Sequence, residues 1–448
     1  MTTLPSREDR RRAGAEARTR VPPSAHGSWR PAAGRPDPIA LLEEQAATRI
    51  PYLVPVRYGR MAASPFTFYR GAALPMAADL APTPSSRIVV QLCGDAHLSN
   101  FGLFASPERD LVFDVNDFDE TLHGPFEWDV KRLAASLAVA GRVRGFAEND
   151  NRHAVHRAVR SYRVRMAEYA AMSSMGVYYS RVDAAGVLAY VDRRARPFLR
   201  DTVKSATHHD AIHELPKLTA VDATGRRRIV DHPPVISHPP EATPELVAAT
   251  LAAYRDTVQE DRRVLLDRYD LVDAALKVVG VGSVGLAAFV GLLLGGDDDP
   301  LFLQAKQAEA SVLERYLPPS SQPSHGARVV AGQRRLQASS DVLLGWAVGT
   351  TGRHWYVRQL QDQKGGAVVD AMTLEDLETW GELCGWALAR GHARSGHPAE
   401  IAGYLGDDHA FDHAIGNFAA AYATQNERDH AAFVAAITAG RIAAESGV

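Results

Sequence analysis

Residues 93–102 read CGDAHLSNFG and residues 113–120 read FDVNDFDE. Between the two polar clusters lie apolar runs at 101–105 and 111–115, separated by Ser-Pro-Glu-Arg-Asp. Apolar runs around a polar turn are the pattern of a β-hairpin. Such a hairpin carries the chain away from Asp95 and Asn100 and returns it with Asp117 beside them. Transfer of a phosphoryl group to a hydroxyl needs a carboxylate to orient and deprotonate the acceptor, and oxygen ligands to hold Mg²⁺ on the phosphates. Asp95 and Asn100 supply a base and a metal ligand from one short loop, and the all-oxygen set suits Mg²⁺ better than zinc. Aspartate and asparagine also favour turns and caps, which is the plainer reading of any one of them. Several acids against buried strands are costly unless a cation or hydrogen bonds offset them.

A second cluster, Gly280-Val-Gly282-Ser283-Val-Gly285, is followed by LAAFVGLLL, a turn at 295–300, and LFLQAK ending at Lys306. A GxGxxG alone is a weak signal, shared by dinucleotide-binding folds and kinase loops. In the dinucleotide fold the glycines open a helix. Here the order reads strand (275–279), glycine loop, strand (286–294), turn, strand (301–305), lysine; a helix at 286–294 is the alternative. A lysine closing an apolar strand reaches phosphates as a point charge. Glu309 and Glu314 follow, and either is a candidate partner for it.

The remaining pattern is mixed. Residues 37–48, 129–141, 151–173, 311–316 and 328–337, and the chain after Thr373, have helical periodicity, as has the segment opened by Thr243-Pro244. Residues 87–93 and 355–360 read as strands. The 448 residues suit a two-lobed α+β protein. We expect a disordered Arg-rich tail over 1–36, a catalytic-loop and helical lobe over 37–270 with an irregular insertion at 201–243, a glycine-loop sheet lobe over 271–365, and helices over 366–448 that complete the helical lobe.

Composition narrows the partners. Fifty Lys plus Arg against 53 Asp plus Glu argue against a wholesale nucleic-acid or anionic-membrane binder. Two cysteines rule out a disulfide scaffold and suit a reducing cytoplasm. No secretory signal is visible. The uncharged stretch 278–296 approaches the length of a membrane span, but its six glycines and the following Asp297-Asp-Asp299 read as strands and turns.

Taken together, these segments resemble the protein kinase-like superfamily, in particular its aminoglycoside phosphotransferase-like branch. Gly94-Asp95-x-His97-x-x-Asn100 looks like the catalytic loop, Asp117-Phe-Asp119 like the metal-binding strand end, and Gly124-Pro-Phe-Glu-Trp-Asp129 like the segment whose aspartate braces that loop. A closer resemblance is to the family called domain of unknown function 2252, through GDAHLSNFG, FDVNDFDE, WDVKRLAASL and the GVGSVG and KQAEASVLE segments. In ordinary kinases the glycine loop and lysine precede the catalytic loop; here they follow it, as in a circular permutation. The resemblance implies Asp95 as catalytic base, with Asn100 and Asp117 on Mg²⁺ and Asp119 as a second metal or substrate group. It further implies a nucleotide site of Gly280, Gly282, Ser283, Gly285 and Lys306 for ATP, with Glu314 the favoured partner of the lysine. His97 and Asp129 would be supporting groups. The hairpin is slightly long for the branch, which makes Asp114 a rival metal ligand. Arg358 and Gln359 would lie near the adenine, and His392 reads as a packing histidine.

The expectation is therefore a cytoplasmic, ATP- and Mg²⁺-dependent phosphotransferase with an unknown hydroxyl acceptor. The alternatives are a nucleotide-binding pseudokinase, an AMP-transferring protein, and a metallophosphoesterase. The last rests on Gly94-Asp95-Ala-His97, but the chain has no Gly-Asn-His-Asp; Gly416-Asn417-Phe418 lacks the ligand.

Overall fold

The computed structural model describes residues 4–190, 196–207, 211–240, 242–278, 280–360, 365–366, 368–445 and 447. The chain is a mixed α+β protein in which helices combine, among the described residues, with three two-stranded β-ribbons and a six-stranded antiparallel sheet.

The arginine-rich start is not a tail. Residues Arg7–Arg20 form a helix (α1) opened by a capping box between Ser6 and Asp9. Helix α1 lies against a late helix, Pro398–Leu405, at backbone contact. A Cβ on Gly14 would stand 1.9 Å from the Glu400 carbonyl, and one on Gly403 would stand 2.2 Å from that of Arg11. Only glycine permits this approach. The arginines read as solvated because their partners are remote: Arg18 donates to the Tyr404 carbonyl (3.0 Å) and to Asp408 (2.7 Å).

Four helices follow: α2 (Pro38–Ala46), capped by Asp37, α3 (Val54–Ala62), α4 (Pro65–Gly71) and α5 (Ala73–Leu80). Strand β1 (Val89–Leu92) pairs with β4 (Leu122–Pro125), and between them β2 (Phe101–Ala105) and β3 (Leu111–Val115) form the expected hairpin. Helix α6 (Glu127–Val143) and helix α7 (Glu148–Ala171) pack with the late helices around the main core, centred on Leu133, Leu137, Tyr162, Trp380, Leu388 and Phe418.

Residues 201–243, expected to be irregular, hold parts of the helices Arg196–Thr207 and Ala211–Leu218, a small hairpin of Thr219–Val221 with Arg227–Ile229, and β5 (Ile236–Ser237). Proline there does not mark an absence of structure, since Pro216 stands inside the helix Ala211–Leu218. Helix α8 (Pro244–Arg255) starts at the expected Thr243 cap.

The sheet is antiparallel throughout, with β6 (Asp270–Lys277), β7 (Ala288–Leu294), β8 (Pro300–Ala308), β9 (Gly345–Val348) and β10 (His354–Gln359) in the order β9-β10-β8-β7-β6-β5. Residues 288–294 are thus strand, and no helix among the described residues is long and apolar enough to cross a membrane. The expected strand at 275–279 is β6; Val279 lies outside the described residues. Along β8 the side chains alternate. Leu303 and Ala305 join a second core under α8 with Tyr254, Leu293 and Val357, while Gln304 and Lys306 face a polar cleft. Helix α9 (His325–Leu336) backs the sheet, and residues 311–316 make only a single turn, Val312–Arg315. Helices α10 (Leu374–Ser395), α11 (Pro398–Leu405, the partner of α1) and α12 (Ala410–Thr438) close the helical body.

Candidate functional site

The loop after β1 turns sharply at Gly94, whose φ is +85°; a Cβ there would lie 2.1 Å from the Glu120 carbonyl. Asp129, in the first turn of α6, accepts from the N–H groups of Cys93 (2.8 Å) and Gly94 (3.0 Å). Behind it His392 stands 3.2 Å from Asp129 and 2.9 Å from the Tyr162 hydroxyl, fully buried. The packing histidine of α10 is therefore part of the brace, a connection invisible in sequence because 263 residues separate it from Asp129.

Beyond the turn, Asp95 meets Arg132, whose Nε and Nη2 lie 2.8 and 2.7 Å from Oδ1. Arg132 in turn donates to the Tyr69 carbonyl (2.7 Å) and lies over the Tyr69 ring at 4.0 Å. Burial pushes the Asp95 carboxyl above its ordinary range, against the opposing pull of Arg132. His97 is buried, with Nε2 3.7 Å from Asp95. Desolvation, then the charges of Arg70 and Arg132, push its ring well below the usual histidine range, so it is neutral. Asn100 donates Nδ2 to the Asp95 carbonyl (2.8 Å), so its Oδ1 is the side-chain atom with ligand capacity. Its carbonyl accepts from Asn116 N–H (2.8 Å), fastening the two clusters together.

The acids of the second cluster divide. Asp114 points inward, 1% exposed, against Arg390 of α10, and is no metal ligand. Asp117 lines the cleft with about a third of its side chain exposed (34%) and accepts from the Asp119 N–H (3.1 Å). Asp119 is occupied: it forms an ion pair with Lys306 and accepts from the Tyr356 hydroxyl (2.8 Å). Lys306 also lies 3.9 Å from Asp117. The sheet lysine and the hairpin acids thus converge across 187 residues of sequence.

Glu314 is not the partner of Lys306. Its Oε1 faces Arg328 Nε at 3.7 Å. Helix α9 presents an arginine toward the acids, and Arg328 donates to the carbonyls of Thr121 (2.7 Å), Asp119 (2.7 Å) and Glu309 (2.8 Å). Arg328 ties the acidic segment to the sheet and carries no signal in its neighbouring sequence.

The glycine loop lies opposite. Gly280 and Gly285 have φ of +70° and +93°, which favour glycine. The loop's carbonyls turn outward onto the N-terminal segment: Arg60 donates to Gly280 (2.7 Å), Ile50 N–H to Gly285 (2.8 Å), and Arg49 to Val284. Gly280 and Ser283 line a cavity of about 380 Å³ together with Asn100, Asp117, Lys306 and Arg358. Gln359 borders it as well. A smaller cavity of about 70 Å³ adjoins it and holds Asp95, His97, Asp119 and Gly282. Gly285 borders neither.

Among the described residues no three His, Cys, Asp or Glu side chains converge as a metal cage. Mg²⁺ in nucleotide sites rests on one or two protein oxygens plus phosphates and water. Asn100 Oδ1 and the Asp117 carboxylate, both on the cleft, fit that requirement.

Residues 49–436 match the family described as uncharacterized protein conserved in bacteria, DUF2252. The chain belongs to the DUF2252 family. No curated protein and no solved structure matches it. In this DUF2252 protein the matched span takes in both acid clusters, the glycine loop and Lys306.

Proposed function

We propose that this DUF2252 protein is a kinase-like phosphotransferase with circularly permuted element order, using ATP and Mg²⁺ to phosphorylate a hydroxyl of a small molecule or protein. The observation that carries the reading is the meeting of Lys306 with Asp117 and Asp119 in one cleft that also holds Asp95 and Asn100. Two stretches that are weak signals apart become a two-sided site when a strand lysine and a hairpin of acids share it.

Each residue has a task that its surroundings support. Lys306, paired with Asp119, whose carboxylate the Tyr356 hydroxyl also holds, lines the cleft and would bind phosphate oxygens. Asp95 would accept the proton of the acceptor hydroxyl; its raised pKa brings it toward the operating range of a general base, and Arg132 fixes the carboxylate in place. Asn100 and Asp117 would hold Mg²⁺, which neutralises phosphate charge when bound. Asp129, with His392 and Tyr162 behind it, keeps Asp95 at its post.

The test is thermal. Mg-ATP at one hundred times its dissociation constant adds about 2.7 kcal/mol of stability. We expect a rise in melting temperature with Mg-ATP that Asp117→Asn largely removes, together with ATP consumption in a metabolite mixture. An unchanged melting curve over millimolar Mg-ATP would overturn the reading.

A further inference from the structure

The cleft also holds Arg70, whose guanidinium feels the charges of Asp95 and Asp117 but, among the described residues, has no hydrogen bond or ion pair of its own. Arg70 stands in the last turn of α4, a helix capped by Ser64 and Thr67 and anchored by the buried Phe66, Phe68 and Tyr69. The backbone at Arg70 is well placed, because the preceding carbonyl of Tyr69 accepts from Arg132 and the Pro65 carbonyl accepts from Asn426 (2.9 Å). Arg70 lines both cavities, as do Asn100, Asp117, Gly280 and Ser283. The glycine loop passes directly over it: a Cβ on Gly282 would lie 3.1 Å from the Arg70 carbonyl.

The other buried arginines around the cleft are all engaged. Arg132 holds Asp95, Arg328 holds three carbonyls, Arg390 holds Asp114, and Arg358 donates to the Asn116 carbonyl (3.1 Å). Lys306 is neutralised by Asp119. Arg70 differs. Its Nε is buried without a partner, and among the described residues no hydrogen bond or ion pair holds its guanidinium. A half-buried guanidinium that pays desolvation and makes no hydrogen bond is costly, and an anion in the cleft offsets that cost. A guanidinium matches a phosphate in two-point geometry, which a point-charge lysine does not.

We propose that Arg70 grips the terminal phosphate of the bound nucleoside triphosphate, as an arginine supplied in cis by the N-terminal segment. This rests on the phosphotransferase reading. It assigns the N-terminal segment a part in the site that the acid and glycine clusters do not reveal. Charge-assisted hydrogen bonds to a transferring phosphate strengthen as its bonds loosen, so Arg70 would be a catalytic residue that touches the reacting group.

Calorimetric titration of the full-length protein, with Mg²⁺ and either ADP or a non-hydrolysable ATP analogue, tests this. Wild type should prefer the triphosphate. Arg70→Gln should bind the triphosphate roughly tenfold or more weaker while ADP binding stays within about twofold, and Arg70→Lys should recover part of the difference. Because no hydrogen bond holds this partly exposed guanidinium, the ligand-free melting temperature of Arg70→Gln should stay close to that of wild type. Equal losses for both nucleotides, no loss for either, or a marked drop in the ligand-free melting temperature would overturn the assignment of Arg70 alone. Failure of wild type to bind either nucleotide would overturn the phosphotransferase reading and this proposal with it.

Discussion

Asp114 of β3 and Arg390 of α10 form an ion pair that water does not reach: Nη2 lies 2.7 Å from Oδ1, and the two side chains are 2% and 0% exposed. Asp114 also accepts from the Ala338 N–H (3.1 Å). The pair joins the acidic hairpin to the helix that carries His392, and it takes Asp114 out of contention for the cleft.

Removing one partner of such a pair leaves a buried charge with no counterpart, at a cost of about 3–5 kcal/mol. Asp114→Ala should therefore lower the urea midpoint sharply. Asp117→Asn, at a partly exposed position, should leave the ligand-free unfolding free energy within about 0.5 kcal/mol of wild type and remove the Mg²⁺-dependent response instead. The reverse pattern would return Asp114 to the metal site.

Arg35 tests the standing of the N-terminus. It binds Asp79 through Nε (2.7 Å) and Nη2 (2.8 Å), and Asp429 through Nη1 (2.9 Å) and Nη2 (2.6 Å), joining the first residues to α5 and α12. Arg35→Ala should cost about 3–5 kcal/mol in denaturant unfolding. Arg30→Ala, at an exposed position, should change stability by no more than about 0.5 kcal/mol. Equal, small effects at the two positions would mean that residues 1–36 contribute nothing to the fold.

Glu120 gives a pH signature. It is half-buried beside the glycine loop and accepts from the Val312 N–H (2.7 Å), and desolvation pushes its carboxyl from 4.5 to about 7. Between these two pH values the folded state keeps a proton that the unfolded chain has lost, so its contribution to stability falls as pH rises through the window and levels off above it. Glu120→Gln should flatten this dependence and be the more stable protein at pH about 8. Urea midpoints at pH 5 and 8 would show it, and parallel profiles for the two proteins would refute it.

Asp95→Asn separates binding from chemistry. The amide keeps the size of the side chain but cannot take a proton, so phosphate transfer should fall by about 10²–10⁴-fold while the Mg-ATP thermal response persists. Wild-type transfer should show an acid limb above the ordinary carboxylate range, because burial raises the Asp95 carboxyl. Undiminished transfer by the variant would move the base elsewhere.

Much of the local structure was legible because it is governed by nearest neighbours. The hairpin 101–105 with 111–115, the Thr243 and Thr373 caps, and the strands around the glycine loop follow from apolar runs, capping residues and turns. The errors share one cause. The disordered 1–36 tail follows from local composition and the Glu314–Lys306 pair from the resemblance, whereas the partners that decide them lie elsewhere: Asp408 for Arg18, Asp79 with Asp429 for Arg35, and Arg328 for Glu314.

The chain alone therefore determined which residue types stand in the acidic and glycine-bearing segments and which elements carry them, since side-chain periodicity and turn chemistry act over a few residues. Only the tertiary structure decided which acid does what. Asp114, Asp117 and Asp119 lie within six residues of each other, yet one is sealed against Arg390, one lines the cleft, and one is held by Lys306 and Tyr356. The reason is that a carboxylate's role is set by its desolvation and by the charge packed against it, and in this fold both come from helices and strands hundreds of residues away.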